Sequence, residues 1–293
     1  AYVEGMAWVL RQVGVDVPGA DLVVHADLPA GAGLSSSAAL ESAAGLALTA
    51  LAGGSVDRVA LALAGQRAET EVVGMPCGLM DQMVVLSGRA GHALFFDTRT
   101  LETEQIPFDP GAAGLALLVL DTRVKHTLAG SPYAERRAAC ERAALALGVA
   151  ALRDASPADV DKAAADGRLD EVAFRRARHV VTENARVLDV VALLRRGDLG
   201  GIGPALAGSH ASLRDDYEVS CAELDVAVET AVAAGAVAAR MTGAGFGGSA
   251  LALVPSERAE AVAGAVADAF TAAGFNPPSS FPVSIADGAT RLA

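Results

Sequence analysis

Three consecutive hydroxyls, Ser35, Ser36 and Ser37, follow two glycines, Gly31 and Gly33, where a β-branched stretch gives way to an Ala- and Leu-rich one. The partial alternation of Asp21–Leu28 predicts a strand, and the composition from Ser35 to about Leu51 predicts a helix with Glu41 facing out. The stretch between them is then a glycine-rich turn from strand to helix. The first N–H groups of a helix lack internal partners and carry partial positive charge, and glycine lets the backbone come close to a ligand. Two uses stay open for such a stretch on its own: a serine-capped helix start, or a cradle for phosphate. A second cluster, MTGAGFGGSA at 241 to 250, has four glycines in the six positions 243 to 248. It reads as a wide turn between strands or as backbone that approaches a ligand, and two such loops in one chain favour a nucleotide or phosphorylated ligand. Asp81, among Cys77, Gly78, Leu79, Met80 and Met83, is either a solvent-facing helix residue or a carboxylate in a cleft, where it would suit a general base. Glu69 is either part of a solvated helix face or, with a cation nearby, a ligand.

Elements must hold these residues in place, and 293 residues suffice for two domains with separate cores. Helical patterns are expected at 2–13, 35–51 and 56–73, then strands at 93–97, 102–108 and 115–121. The last is an aliphatic run suited to a strand covered on both faces. From Tyr133 onward, helical patterns at 133–147, 157–166, 169–196, 203–213 and 220–234 succeed one another. The end reads strand 236–241, glycine loop, strand 250–254, helix 257–273 and strand 282–286, a split β-α-β layer. The turn-rich DPGAAG places a domain boundary near residue 110, giving domains 1–110 and 111–293.

A net charge of −12 excludes the basic face that nucleic acid or an anionic membrane surface demands. No apolar run approaches a membrane span, so the chain reads as soluble and cytoplasmic. Cys77, Cys140 and Cys221 are odd in number and far apart, against a disulfide framework or a CxxC site, and the five histidines show no metal-site spacing. Hard cations held by oxygen remain open.

Pro29 to Ala38 resembles the nucleotide-binding loop of the GHMP kinases, and Met241 to Ser249 resembles their C-terminal glycine motif. Within that superfamily GMPCGLMDQM (74–83), GHALFFDTRTLE (91–102), VKHTLAGSPYAERRAACE (124–141), RARHVVTEN (176–184) and SHASLRDDYEVSCAELD (209–225) resemble the galactokinases. The resemblance implies a two-domain α+β GHMP kinase fold: an incomplete N-terminal part similar to ribosomal protein S5 domain 2, and a ferredoxin-like C-terminal domain. It implies transfer of the ATP γ-phosphoryl group to the anomeric hydroxyl of galactose. On it, Gly31, Ala32, Gly33, Leu34, Ser35, Ser36, Ser37 and Ala38 wrap the ATP phosphates, Ser37 and Glu69 bind Mg²⁺, and Asp81 is the catalytic aspartate. Gly78 and Tyr133 match positions near the sugar, and Gly243 and Gly245 belong to the loop that closes over the transferred phosphate. A monomer or weak homodimer is expected. An N-acetylgalactosamine kinase and a non-catalytic galactose- and ATP-responsive sensor are the alternatives; the complete Ser35–Ala39 stretch and Asp81 argue against the sensor. No GxGxxG opening a helix supports a dinucleotide enzyme.

The chain departs from the family pattern in two ways. Ala244 stands where the family's loop usually has glycine, which is tolerable if its φ is negative. Nothing matches the family's earlier motif around glycine-arginine-asparagine-glycine-glutamate-histidine-aspartate, which supplies an arginine and sugar contacts. The 293-residue polypeptide by itself is therefore expected to show weak or no kinase activity. A linked assay of ATP turnover with galactose checks this, and robust turnover contradicts it.

Overall fold

Met6, Val9 and Leu10 share one face of the first helix, α1 (Tyr2–Gln12), and all three are wholly buried. The computed structural model describes residues 1–28, 32–124 and 132–292. α2 (Ser36–Leu51), α3 (Arg58–Arg67) and α4 (Met80–Ser87) pack with α1 around a core completed by Leu48, Leu61, Met83 and Leu86. Contact is close because α2 offers Gly45, where a Cβ would lie 2.6 Å from Met6 Cε and 2.8 Å from Leu61 Cδ1. α3 starts at Asp57, whose carboxylate accepts from the N–H groups of Val59 and Ala60. The helix expected over 56–73 keeps α geometry only to Arg67. It then widens into a π-type turn, Ala68–Val73, that buries Ala68 and Glu69 and stops at Gly74 with φ of 80°. A hairpin of β1 (His92–Phe96) and β2 (Thr103–Pro107) follows.

Residues 1–109 and the segment from Ser284 onward form one compact unit, and residues 110–283 a second. The late segment is tied to the first unit through its backbone: the Gly288 N–H donates to Gly88 O at 2.8 Å and that of Ala289 to Val85 O at 2.7 Å.

In the second unit, β3 (Leu115–Asp121) is the aliphatic strand. It pairs antiparallel on both edges in a sheet of order β4-β5-β3-β6, with β4 at Ala238–Met241, β5 at Ser249–Pro255 and β6 at Ser279–Val283. Before β4 come α5 (Pro132–Leu147), α6 (Pro157–Ala165), α7 (Glu171–Arg195), α8 (Gly203–Asp215) and α9 (Ala222–Ala233); α10 (Ala259–Ala273) links β5 to β6. α9 and α10 cover the sheet with Leu224, Val228, Val262, Val266 and Phe270 against Leu120, Met241 and Val254. α5, α6 and α7 close a second cluster around Ala143, Val160, Ala163 and Ala177. With β5 and β6 both antiparallel to the β3 between them, β5-α10-β6 is a split β-α-β unit. No helix among the described residues is long and apolar enough to cross a membrane.

Three local expectations are corrected. Residues 21–28 form no strand: they pair with no described residue, and Val23 is 99 % exposed, so alternation without a partner leaves extended chain. The final strand runs from Ser279 to Val283, three residues earlier than its apolar pattern suggested, because its register is dictated by pairing of Ser279 with Asp121 and Val283 with Leu117 on β3. Its Pro282 is tolerated because β6 is an edge strand. Glu41, expected on the outer face of α2, is 0 % exposed, for a reason that lies in the site.

Candidate active site

At the start of α2 no serine acts as a side-chain cap. Ser35, the residue before the helix, has left-handed backbone at φ 57° and ψ 35°, and it makes no side-chain capping bond. For a non-glycine residue that conformation costs about 1–2 kcal/mol. The first ladder bond runs from Ala39 N–H to Ser35 O at 3.0 Å, which leaves the N–H groups of Ser36, Ser37 and Ala38 without partners in the helix. No charged residue stands in the first turn. Ala32 and Ala38 are buried, whereas Gly33, Leu34 and the three serines are half-buried. The result is a helix start whose half-buried Ser36 and Ser37 have N–H groups and hydroxyls that the helix itself does not use. Gly31 lies outside the described residues, as do Pro29, Ala30 and residues 125–131 of one quoted motif.

One turn down α2 from Ser37, on the same face, comes Glu41. The Gln82 side-chain amide of α4 donates to Glu41 Oε2 at 3.2 Å and to Glu69 Oε2 at 3.0 Å. Glu41 and Gln82 are buried, and Glu69 is 9 % exposed. Gly65 makes room: a Cβ there would meet Gln82 Cγ at 3.1 Å and Glu41 Oε2 at 3.3 Å. Burial pushes the Glu41 carboxyl up to about 8, the Gln82 hydrogen bond partly opposes this, and the charge of Glu69 adds to it. The half-buried Cys77 thiol is pushed up to about 12, by burial first and then by Glu69, which makes it a poor nucleophile. The Gln82–Glu41–Glu69 cluster is a feature that sequence reading missed; a helical glutamate among alanines gives no sign of which way it faces.

Asp81 precedes Gln82 in the first turn of α4. Consecutive helical residues point about 100° apart, so the buried Gln82 leaves Asp81 half-buried at the surface of the unit. Gly78, just upstream, is exposed, and a Cβ added to it would meet nothing within 4 Å. Ser37 and Glu69 are not hydrogen-bonded to one another, but α2 packs against α3 and α4, and the Glu41–Gln82 link joins their elements. Among the described residues no group of three or more His, Cys, Asp or Glu side chains could hold a metal ion. Ser37 and Glu69 carry hard oxygen atoms of the kind that Mg²⁺ takes, usually together with phosphate and water.

The second unit carries the glycine loop between β4 and β5. Gly243, Gly245, Phe246, Gly247 and Gly248 have φ of 77°, 86°, 62°, 133° and 78°, and Ala244 is not among the residues with positive φ. Space is as limiting as conformation. A Cβ on Gly245 would lie 2.2 Å from Val219 O, and one on Gly247 2.7 Å from Val124 O. The Phe246 N–H donates to Val219 O at 2.6 Å, that of Gly248 to Val124 O at 3.1 Å, and the Thr122 hydroxyl to Gly248 O at 2.6 Å.

The turn at 216–219 that receives the loop is itself braced by arginines. Arg136 donates to Tyr217 O at 2.6 Å and Glu218 O at 2.9 Å, and lies 5.8 Å from the Phe246 ring centre. Arg175 pairs with Glu218 at 2.6 Å, and Arg176 with Glu218 and with Asp216 O. All of these residues except Arg175, which lies one position before RARHVVTEN, sit inside the motif strings quoted above, without a role assigned to them there. Tyr133, in the first turn of α5, is three residues before Arg136 and shares its helix face.

Two family models match the chain: GHMP kinases N terminal domain over residues 1–89 and GHMP kinases C terminal over residues 190–272. The fold and both models make this chain a GHMP kinase. The galactokinase of Streptomyces coelicolor is 52 % identical over 293 residues, covering 100 % of this chain and 76 % of the relative. That of Mycobacterium tuberculosis is 44 % identical over 291 residues, 99 % of this chain and 80 % of its own. The crystal structure of Lactococcus lactis galactokinase complexed with galactose superposes with a TM-score of 0.92 at 34 % identity, covering 99 % of this chain and 76 % of that one. Within the GHMP kinases, the chain belongs to the galactokinase family.

Two outcomes follow for stability. Glu41, raised from 4.5 to about 8, favours the folded state while protonated, a contribution that is full below the unfolded value and lost as pH rises through the folded one. His179, lowered by burial from 6.5 to about 4, acts in the opposite sense, but only below 6.5. In metal-free buffer, denaturant unfolding between pH 6.5 and 8 should show stability falling by up to about 1.4 kcal/mol per pH unit, and Glu41→Gln should flatten that slope. An unchanged slope in the variant would contradict the assignment. Gly245→Ala, with both φ and Val219 O against it, should lose at least about 2 kcal/mol, whereas Gly78→Ala, facing open space, should melt within a degree or two of the parent.

Proposed function

We propose that this chain phosphorylates the anomeric hydroxyl of galactose with ATP as co-substrate, the serine-rich start of α2 holding the phosphates and Asp81 serving the sugar hydroxyl. The observation that carries the reading is the N-terminus of α2: N–H groups with no partner in the helix, three half-buried serines and, among the described residues, a left-handed Ser35 that makes no side-chain cap. Strain of this kind persists where the surrounding structure has a use for it. A polyanion is the ligand that a neutral helix start of this form suits. The relatives named above and the galactose-bound Lactococcus lactis structure support galactose as the acceptor.

Phosphoryl transfer asks a protein for alignment and charge neutralisation more than for covalent chemistry. The amides of the half-buried Ser36 and Ser37 present donors to the phosphate oxygens without any rearrangement of side chains. Ser37 and Glu69 would hold Mg²⁺, which when bound supplies the positive charge that a chain of net −12 lacks. Asp81, in the first turn of α4 and half-buried, accepts the proton of the attacking hydroxyl or holds that hydroxyl in line. Gly78 leaves space beside it for a sugar. In the second unit, Tyr133 on α5 serves the sugar, and Gly243 and Gly245 offer the transferred phosphate a loop of backbone amides.

Galactose-dependent ADP release, measured at protein concentrations that register slow turnover, tests this reading. Asp81→Asn should lower the rate at least 100-fold, the scale of a lost general base, while calorimetric binding of Mg²⁺·ADP stays within threefold. A rate within tenfold of the parent would remove Asp81 from the chemistry. Loss of nucleotide binding in the same variant would show that the carboxylate serves the nucleotide instead.

A further inference from the structure

We infer that Gln82 is a positioning residue for the cation: its single amide group, shared between Glu41 and Glu69, holds the Glu69 carboxylate ready for Mg²⁺ and fixes it relative to Ser37 and Asp81. The inference rests on the reading of Ser37 and Glu69 as cation ligands and extends it to two residues that touch neither substrate nor metal.

The orientation of the Gln82 amide is dictated by what surrounds it. Its nitrogen faces two carboxyl oxygens, at 3.2 Å and 3.0 Å; the reverse orientation would turn the amide oxygen toward both and lose these two bonds. In this orientation its own Oε1 is buried with no hydrogen-bond partner among the described residues, and so is Glu41 Oε1. Leaving such atoms unpaired costs about 1–3 kcal/mol each. A cluster arranged only for stability would avoid that cost, and an apolar replacement of the same shape would often be neutral or better. What the cluster does achieve is direction. Glu69 lies on the π-type turn, Gln82 on α4 beside Asp81, and Glu41 on α2 one turn from Ser37. One amide therefore ties together the three elements that carry the candidate metal ligands and the candidate base.

Without that amide, the link from Glu69 to Glu41 and to α4 is lost, and the Glu69 carboxylate can swing away from a cation. Orienting groups around metal ligands typically change metal affinity by 10–100-fold.

Mn²⁺ followed by electron paramagnetic resonance, in the presence of ADP, reads the cation without requiring turnover. Gln82→Ala should weaken Mn²⁺ binding in the ADP complex by at least tenfold, while metal-free ADP binds within twofold of the parent and the melting curve stays cooperative. Gln82→Asn, one methylene shorter and able to reach only one carboxylate, should fall between the two; it carries the test if the alanine variant does not fold. Glu69→Ala, run alongside, separates the two readings. Weak Mn²⁺ binding in Glu69→Ala with parent-like binding in folded Gln82→Ala would overturn the role of Gln82 alone. Parent-like binding in Glu69→Ala would overturn the metal reading of Glu69, and the role of Gln82 with it.

Discussion

A carboxyl group taken out of water costs several kcal/mol if it stays ionised without donors to replace its hydration, and the first unit buries two side by side, Glu41 and Glu69, with burial pushing Glu41 up to about 8. The single donor they share is the Gln82 amide. Much of the local architecture answers to that arrangement. α3 gives way to a wider turn that brings Glu69 inward, Gly65 stays without a side chain so that Gln82 and Glu41 can meet, and α4 buries Gln82 while leaving its neighbour Asp81 at the surface. The unit's apolar core could have been built from Met6, Leu61, Met83 and Leu86 without these charges. Their presence one turn along α2 from Ser37 is what sets this unit apart from a plain helical one.

The second unit meets a different demand. Its loop of positive-φ glycines is seated by backbone atoms of Val219 and Val124, at distances that admit no Cβ at Gly245 or Gly247. A loop with so much intrinsic freedom loses more entropy on folding than any other kind, so the seat has to be firm. The turn at 216–219 supplies it, with Glu218 itself at φ 54° and held by Arg175 and Arg176 while Arg136 binds the carbonyls of Tyr217 and Glu218. These arginines are engaged with the protein's own turn. These three arginines thus hold in shape the turn that seats the glycine loop.

A chain of net charge −12 handling a highly charged nucleotide looks contradictory only at long range. Beyond a Debye length of about 10 Å at 0.1 M salt the summed charge is screened, whereas the partial charges at the start of α2 act at contact distance. Membership of the galactokinase family, carried by relatives 44–52 % identical over nearly the whole chain, is consistent with that local solution.

What the sequence determined by itself was local. The aliphatic run Leu115–Asp121, the helical stripe of α1 and the glycines that need left-handed backbone are properties of short windows. Their periodicity or missing Cβ is legible without knowing the partner. Ser35–Ser37, Glu69, Asp81 and the glycine loop could be singled out because residue type and spacing, together with family resemblance, mark them. Tertiary structure alone decided the matters that depend on a neighbour far along the chain. Residues 21–28 alternate but find no described strand to pair with, β6 takes its register from β3, and Glu41 turns inward because an amide 41 positions later awaits it. The brace of Arg136, Arg175 and Arg176 around Glu218 belongs to the same class. A buried charge is placed by its partner, and the partner's identity is a contact between distant positions that no short window of sequence contains.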